Sequence, residues 1–174
     1  KGLDTFYAGH PFIEKEYKAN DSESFFEKHR FKKDRPVLIL LPGSRQQEID
    51  HHWPIFLDTI SELNKKFPGL QSVVIKSSHV KLIPMPEHIK IERSSESAMQ
   101  NGTAAICSSG TATLECAVAN LPTVVCYKMS YLNWVLFNLL GKVKYISIVN
   151  LIAKKKIIPE LIQHKMTPKN IIKK

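Results

Sequence analysis

The chain holds 174 residues, 43% of them hydrophobic, which is enough to bury a sizeable core and fits one domain better than two. No repeat or low-complexity stretch is visible, and the three cysteines are odd in number with no metal-type spacing, so a disordered chain, a repeat array and a disulfide scaffold are excluded. The formal charge is +9, the first residue is Lys rather than Met, and the chain reads as a piece of something longer.

Residues 5–8 form a short strand leading into Gly9, His10 and Pro11, and Asp21 or Ser22 caps a helix through Phe25, Phe26 and His29. Arg35 and Pro36 then open VLILL at 37–41, a continuous apolar run typical of a strand buried on both faces. After a loop, Phe56, Ile60, Leu63 and Phe67 mark a long helix with Pro54 near its first turn, while His51 and His52 fall on its polar, solvated face. Residues 73–75 and 89–91 read as two more strands, followed by a short helix at 94–100.

Residues 105–127, AAICSSGTATLECAVANLPTVVCY with its flanking alanine, read as strand, small-residue turn, helix and strand. Leu114, Ala117, Val118 and Leu121 fall on one helical stripe, and Cys107, Cys116 and Cys126 lie inside the core of this βαβ unit as reduced thiols. Beyond 145–149 the pattern is helical, with Pro159 and Pro168 near helix starts. Alternating strands and helices imply an α/β fold, a parallel sheet with helices on both faces.

Two loops carry candidate chemistry. Ser109, Gly110, Thr111 and Ala112 bring backbone N–H groups to a helix start, an arrangement suited to phosphate. Glu115, one turn on, repels phosphate but suits a ribose diol, so the pair points to a nucleotide diphosphate. Gly43, Ser44 and Arg45 follow the 37–41 strand in the same manner: the glycine admits close backbone approach and Arg45 adds a cation. In an open α/β sheet both loops face one crevice at the strands' carboxyl ends.

The charge is uneven. Residues 141–174 hold nine lysines against Glu160 alone, so nearly all of the excess lies in the last 34 residues. Without arginine, and with only Tyr145 for stacking, this segment suits an anionic membrane surface better than nucleic acid. Tyr131, Trp134, Leu136, Phe137 and Leu140 immediately upstream suit a headgroup boundary, and the stretch is too short to span a bilayer. A core helix followed by a solvated lysine face is the equally weighted alternative.

LPGSRQQEI at 41–49, SSGTATLECAVANLPTVVCYKM at 108–129 and YISIVNLIAKKKIIPELIQ at 145–163 together resemble the carboxyl-terminal half of the lipid-A-disaccharide synthase family. Gly9, His10 and Pro11 resemble that family's entry into its second domain, making 1–11 an interdomain entry, 142–174 a basic helical end, and 1–174 one Rossmann-like donor-nucleotide domain. The resemblance implies half of a B-type glycosyltransferase fold, with the acceptor domain and general base outside this chain. It implies transfer of diacylglucosamine from UDP to diacylglucosamine 1-phosphate, with no metal and no cofactor, at the cytoplasmic face of the bacterial inner membrane as a peripheral protein.

By that resemblance Gly43, Ser44 and Arg45 meet the diphosphate, with Arg45 stabilising the leaving UDP, and Ser109, Gly110, Thr111 and Ala112 hold phosphate. Glu115 takes the ribose hydroxyls, and Asn150 is either a polar contact near the cleft or a cap on the following helix. The exposed cleft face and the apolar 131–140 segment are compatible with homo-oligomers. Another UDP-sugar enzyme, such as a UDP-GlcNAc transferase or epimerase, would share the two loops but not the 145–163 stretch, and a non-catalytic basic nucleic-acid-binding domain would leave both loops without purpose.

Overall fold

A computed structural model describes residues 22–130, 134 and 144–174. The strand expected at 5–8, Gly9, His10, Pro11 and the 131–140 segment apart from Trp134 lie outside the described residues.

In chain order the elements are α1 (Ser22–His29), β1 (Val37–Leu41), α2 (Gln46–Lys66), β2 (Gln71–Ile75), β3 (Ile89–Glu92), α3 (Ser95–Asn101), β4 (Ala104–Ser108), α4 (Ala112–Val118), β5 (Thr123–Tyr127), α5 (Ile148–Ala153), β6 (Glu160–Ile162) and α6 (Pro168–Ile172). The strands form one sheet in the order β3-β2-β1-β4-β5-β6. Every pairing is parallel, from Val73 beside Lys90 at one side to Cys126 beside Leu161 at the other. This is the doubly wound Rossmann-like order, and it reverses direction between β1 and β4.

VLILL is buried at all five positions because the sheet is covered on both faces. Leu38 and Leu40 point to one layer, with Ile49, Trp53, Phe56 and Ile60 of α2 and Ile171 of α6. Val37, Ile39 and Leu41 point to the other, with Phe25 of α1, Met99 of α3 and Cys116 of α4. The two-residue period of the strand thus feeds both layers at once. At the β3 edge the buried Glu92 carboxylate ties α1 to the sheet, accepting from Lys28 Nζ at 2.7 Å and pairing with His29 Nε2 at 2.9 Å. Burial works to raise the Glu92 pKa, but Lys28, His29 and the backbone N–H groups of Ser94 and Arg93 outweigh it and hold the carboxyl at about 2.

Five expectations need correction. The long helix starts at Gln46, so Pro54 lies inside it and not in its first turn. The helix tolerates the proline because Pro54 and Asp50, whose carbonyl loses its partner, are both exposed, while Trp53 and Phe56 anchor the other face. Phe67 falls past the helix end and is 54% exposed. On α4 the buried residues are Thr113 and Cys116, not Leu114, Ala117 and Val118. The helix is only seven residues long and stops before Asn120, whose φ of 52° turns the chain so that Leu121 enters the core from outside the helix. His52 is fully buried rather than solvated. Finally, Pro159 precedes the strand β6, not a helix, although Pro168 does open α6. The three cysteines are free and buried, as the sequence indicated.

Candidate functional site

The sheet's direction reversal opens a cleft of about 360 Å³ at the carboxyl edge, between the loops after β1 and β4. Gly43, Ser44, Arg45, Ser109, Gly110, Thr111, Ala112 and Glu115 all line it, so eight of the nine residues expected at a ligand site are brought together. Asn150 is not among them.

The first loop is built around Glu48. Its carboxylate accepts from the backbone N–H groups of Ser44 at 3.1 Å and Arg45 at 3.4 Å, and Oε1 meets Arg45 Nη1 at 3.3 Å. Gly43 has φ +124°, and a Cβ there would lie 2.5 Å from Glu48 Oε2, so both the backbone twist and the close approach demand glycine. His79 Nε2 reaches the Ser44 carbonyl at 2.8 Å and braces the loop from the 77–82 connection. The Arg45 side chain is 80% exposed, leaving its guanidinium projecting at the cleft mouth. Arg45 itself is the extended cap of the 21-residue α2, whose positive N-terminal end therefore faces the cleft.

The second loop is open where the first is filled. Gly110 has φ +154°, and a Cβ added there would meet nothing within 4 Å, so this stretch of backbone faces space. Thr113 Oγ1 donates to the Gly110 carbonyl at 2.7 Å and closes the turn from beneath. Ser109 Oγ donates to the Ile146 carbonyl at 2.7 Å, which ties the turn to the segment entering α5. Glu115 lies half-buried on the cleft wall one turn below Thr111. The floor is Leu41 and Ile75, and the far rim is Ser77 and Ser95, residues that sequence reasoning missed. Their signal was positional, since Ser77 follows the carboxyl end of β2 and Ser95 follows that of β3.

Asn150 has a different task. Its side chain is fully buried, Nδ2 donates to the Ile158 carbonyl at 2.9 Å and Glu160 Oε1 at 2.8 Å, and Oδ1 accepts from the N–H groups of Ile157 at 2.7 Å and Ile158 at 3.0 Å. Both donors and both acceptor sites are used, so the direct ligand contact expected of it gives way to a scaffold role. The cap of α5 is Ser147, whose hydroxyl accepts from the Asn150 N–H and donates to Glu160 Oε1. Glu160 also accepts from the Ile146 N–H, so Asn150 and Glu160 together fix the residue that holds Ser109.

The three buried thiols differ: the hydrogen bond with Cys107 lowers the Cys116 pKa, while the other two are raised. Burial pushes Cys126 up to about 12, and a hydrogen bond with Cys116 together with burial raises Cys107 well above the usual thiol value.

Fold and cleft together define a Rossmann-like α/β protein with a crevice at its topological switch point. A family profile described as lipid-A-disaccharide synthetase matches residues 1–174, the whole chain, and the chain belongs to that family. Lipid-A-disaccharide synthase of Solibacter usitatus is 33% identical over 98% of this chain and 46% of its own length. The proteins of the same name from Rickettsia akari and Myxococcus xanthus are 35% and 32% identical, over 93% and 98% of this chain. The chain thus spans less than half the length of these relatives, covering 46%, 43% and 46% of them. Among solved structures, Thermosulfurimonas dismutans KpsC, a beta Kdo 2,4 transferase, aligns with TM-score 0.41 and 9% identity over 61% of this chain and 42% of that one.

Proposed function

We propose that this chain is the nucleotide-sugar-binding half of a B-type glycosyltransferase that moves diacylglucosamine from UDP to diacylglucosamine 1-phosphate. The observation that carries the reading is the convergence of the Gly43, Ser44 and Arg45 loop, the open Gly110 turn and Glu115 on one crevice, in a chain that belongs to the lipid-A-disaccharide synthetase family. The diphosphate lies along the Ser109 to Ala112 turn, the ribose hydroxyls donate to Glu115, and Arg45 closes over the phosphates from the other side. Charge grows on the UDP oxygens as the glycosidic bond breaks, and a guanidinium already in place stabilises that charge without reorganisation. The acceptor lipid and the general base belong to the part of the enzyme outside these 174 residues, so the chain alone binds donor without turning it over.

Calorimetric titration with UDP, GDP, ADP and uridine tests the reading. UDP binds most tightly, and Glu115→Ala weakens UDP and uridine alike, because the carboxylate addresses the ribose that both share. Equal affinity for all four, or no binding, sinks it.

A peripheral membrane role at the inner face of the bacterial inner membrane rests on a separate observation. Leu151, Ile152 and Ile157 are 47%, 69% and 56% exposed and flank the exposed Lys154, Lys155 and Lys156, which joins apolar and cationic surface in one short stretch. No helix among the described residues is long and apolar enough to cross a membrane. Replacing the three lysines with Glu removes roughly 1 kcal/mol of attraction per lysine and reduces sedimentation with phosphatidylglycerol vesicles, more at low salt than at high. Unchanged sedimentation at low salt returns the lysines to a merely solvated face.

A further inference from the structure

The buried imidazole of His52 takes no part in the contacts described above, yet it joins the two loops that frame the cleft. It sits on α2 with no exposed surface, stacked on Phe56 at 6.3 Å between centroids and tilted against Tyr127 at 5.7 Å. Nδ1 lies 2.8 Å from the Pro42 carbonyl, and the Lys128 N–H donates to Nε2 at 2.9 Å. A carbonyl only accepts and an N–H only donates, so the ring must be neutral with its proton on Nδ1. Pro42 is the residue before Gly43, at the exit of β1, and Lys128 is the first residue after β5. Those strands are not neighbours, because β4 and its Ser109 to Thr111 turn lie between them. The imidazole therefore bridges the exits on both sides of the switch-point strand.

We propose that His52 is a positioning residue for phosphate binding, its neutral ring locking the start of the Gly43, Ser44 and Arg45 loop to the end of β5 across the β4 turn. This rests on the nucleotide reading of the cleft. Without the bridge the Gly43 to Arg45 loop shifts against the β4 turn, and a diphosphate, which needs both, loses affinity, whereas uridine, which does not reach the first loop, keeps it.

The test titrates the full chain and its variants with UDP and with uridine, alongside melting curves and a ¹⁵N imidazole spectrum. His52→Phe keeps a flat ring and loses both hydrogen bonds; it weakens UDP about tenfold and leaves uridine within about twofold. His52→Gln, whose amide offers one donor and one acceptor, restores UDP binding to within about threefold of the original. Should His52→Phe fail to fold, His52→Asn, whose shorter amide keeps a donor for Pro42 while its oxygen falls short of the Lys128 N–H, supplies the same ratio. The spectrum shows the Nδ1–H tautomer at neutral pH. A UDP-to-uridine ratio unchanged in a folded variant, or a proton found on Nε2, overturns the proposal while leaving the nucleotide reading intact. Failure of the unaltered chain to bind UDP overturns both.

Discussion

The two ends of the sheet are made from the same strands and carry opposite chemistry. At the carboxyl edge a cleft of about 360 Å³ is walled by serines, Arg45, Glu48 and Glu115, while at the amino edge a larger groove of about 570 Å³ runs over Val37, Ala104, Val124, Leu63, Phe67 and Ile171. Parallel topology produces the difference. The exits of β1, β3 and β4 each lead into a loop and then a helix start, so N–H groups, cap side chains and helix dipoles gather at the carboxyl edge, and the other edge receives helix ends and apolar flanks. On α2 the sequence follows the same polarity, with Glu48 in the first turn and Lys65 and Lys66 in the last. The nucleotide reading proposed above therefore rests on directional polarity and not on size.

The largest way to break this contrast is to remove what both edges stand on. Phe56 has no exposed surface and packs from the middle of α2 into the core, on the helix whose start lines the cleft and whose end borders the groove. Phe56→Ala costs about 3–5 kcal/mol, read as a lower urea midpoint, and UDP binding falls only in proportion to the folded fraction. A stable Phe56→Ala chain with selectively lost UDP affinity would instead make Phe56 part of the site.

Arg45→Ala acts at one edge alone. On the proposed nucleotide reading it should weaken UDP by roughly 1.5–3 kcal/mol through loss of a charge-assisted phosphate contact, leaving uridine and the melting temperature almost unchanged, since the side chain is 80% exposed. Calorimetry showing equal losses for UDP and uridine removes the phosphate assignment.

Acid provides a third lever through the sheet's lateral edge. Glu92 has its pKa lowered from 4.5 to about 2 in the folded protein, so the unfolded chain binds the proton more readily and stability is present above 4.5 and lost as pH falls toward 2. Its contribution is on the order of 2 kcal/mol once solvent screening of the half-exposed Lys28 is allowed for. His52, lowered from 6.5 mainly by burial, acts in the same direction but earlier, its contribution declining as pH drops below 6.5. Stability against pH in Glu92→Gln should flatten between 4.5 and 2 while keeping the decline below 6.5, and a parallel curve would show that Glu92 is not the group titrating.

How much of this was legible depends on whether a signal was local. The VLILL strand and the two loops were, because a buried parallel strand is apolar at every position and a ligand loop needs glycine beside hydrogen-bond donors. β6 was not, since three residues after a proline carry little period and the strand exists through pairing with β5. Asn150 and Glu160 find each other only once that strand is in place. His52 was legible in principle: it lies three residues after Ile49 and four before Phe56, on the buried stripe of α2. Its polarity concealed this, because the carbonyl and N–H that make a buried histidine tolerable come from residues 10 and 76 positions away.

The smallest expected effect tests the amino edge. Phe67 is 54% exposed at the rim of the apolar groove, one residue past the end of α2, and its own N–H bonds back to Leu63 as the helix stop. Because the ring buries little and the stop is made by backbone, Phe67→Ser should change stability by no more than about 0.5 kcal/mol. It should leave UDP and uridine titrations superimposable on those of the unaltered chain, since the groove and the cleft lie at opposite ends of the strands. A loss of UDP affinity in this variant would mean that the groove, and not the carboxyl-edge cleft, receives part of the nucleotide, and the contrast between the two ends would fail.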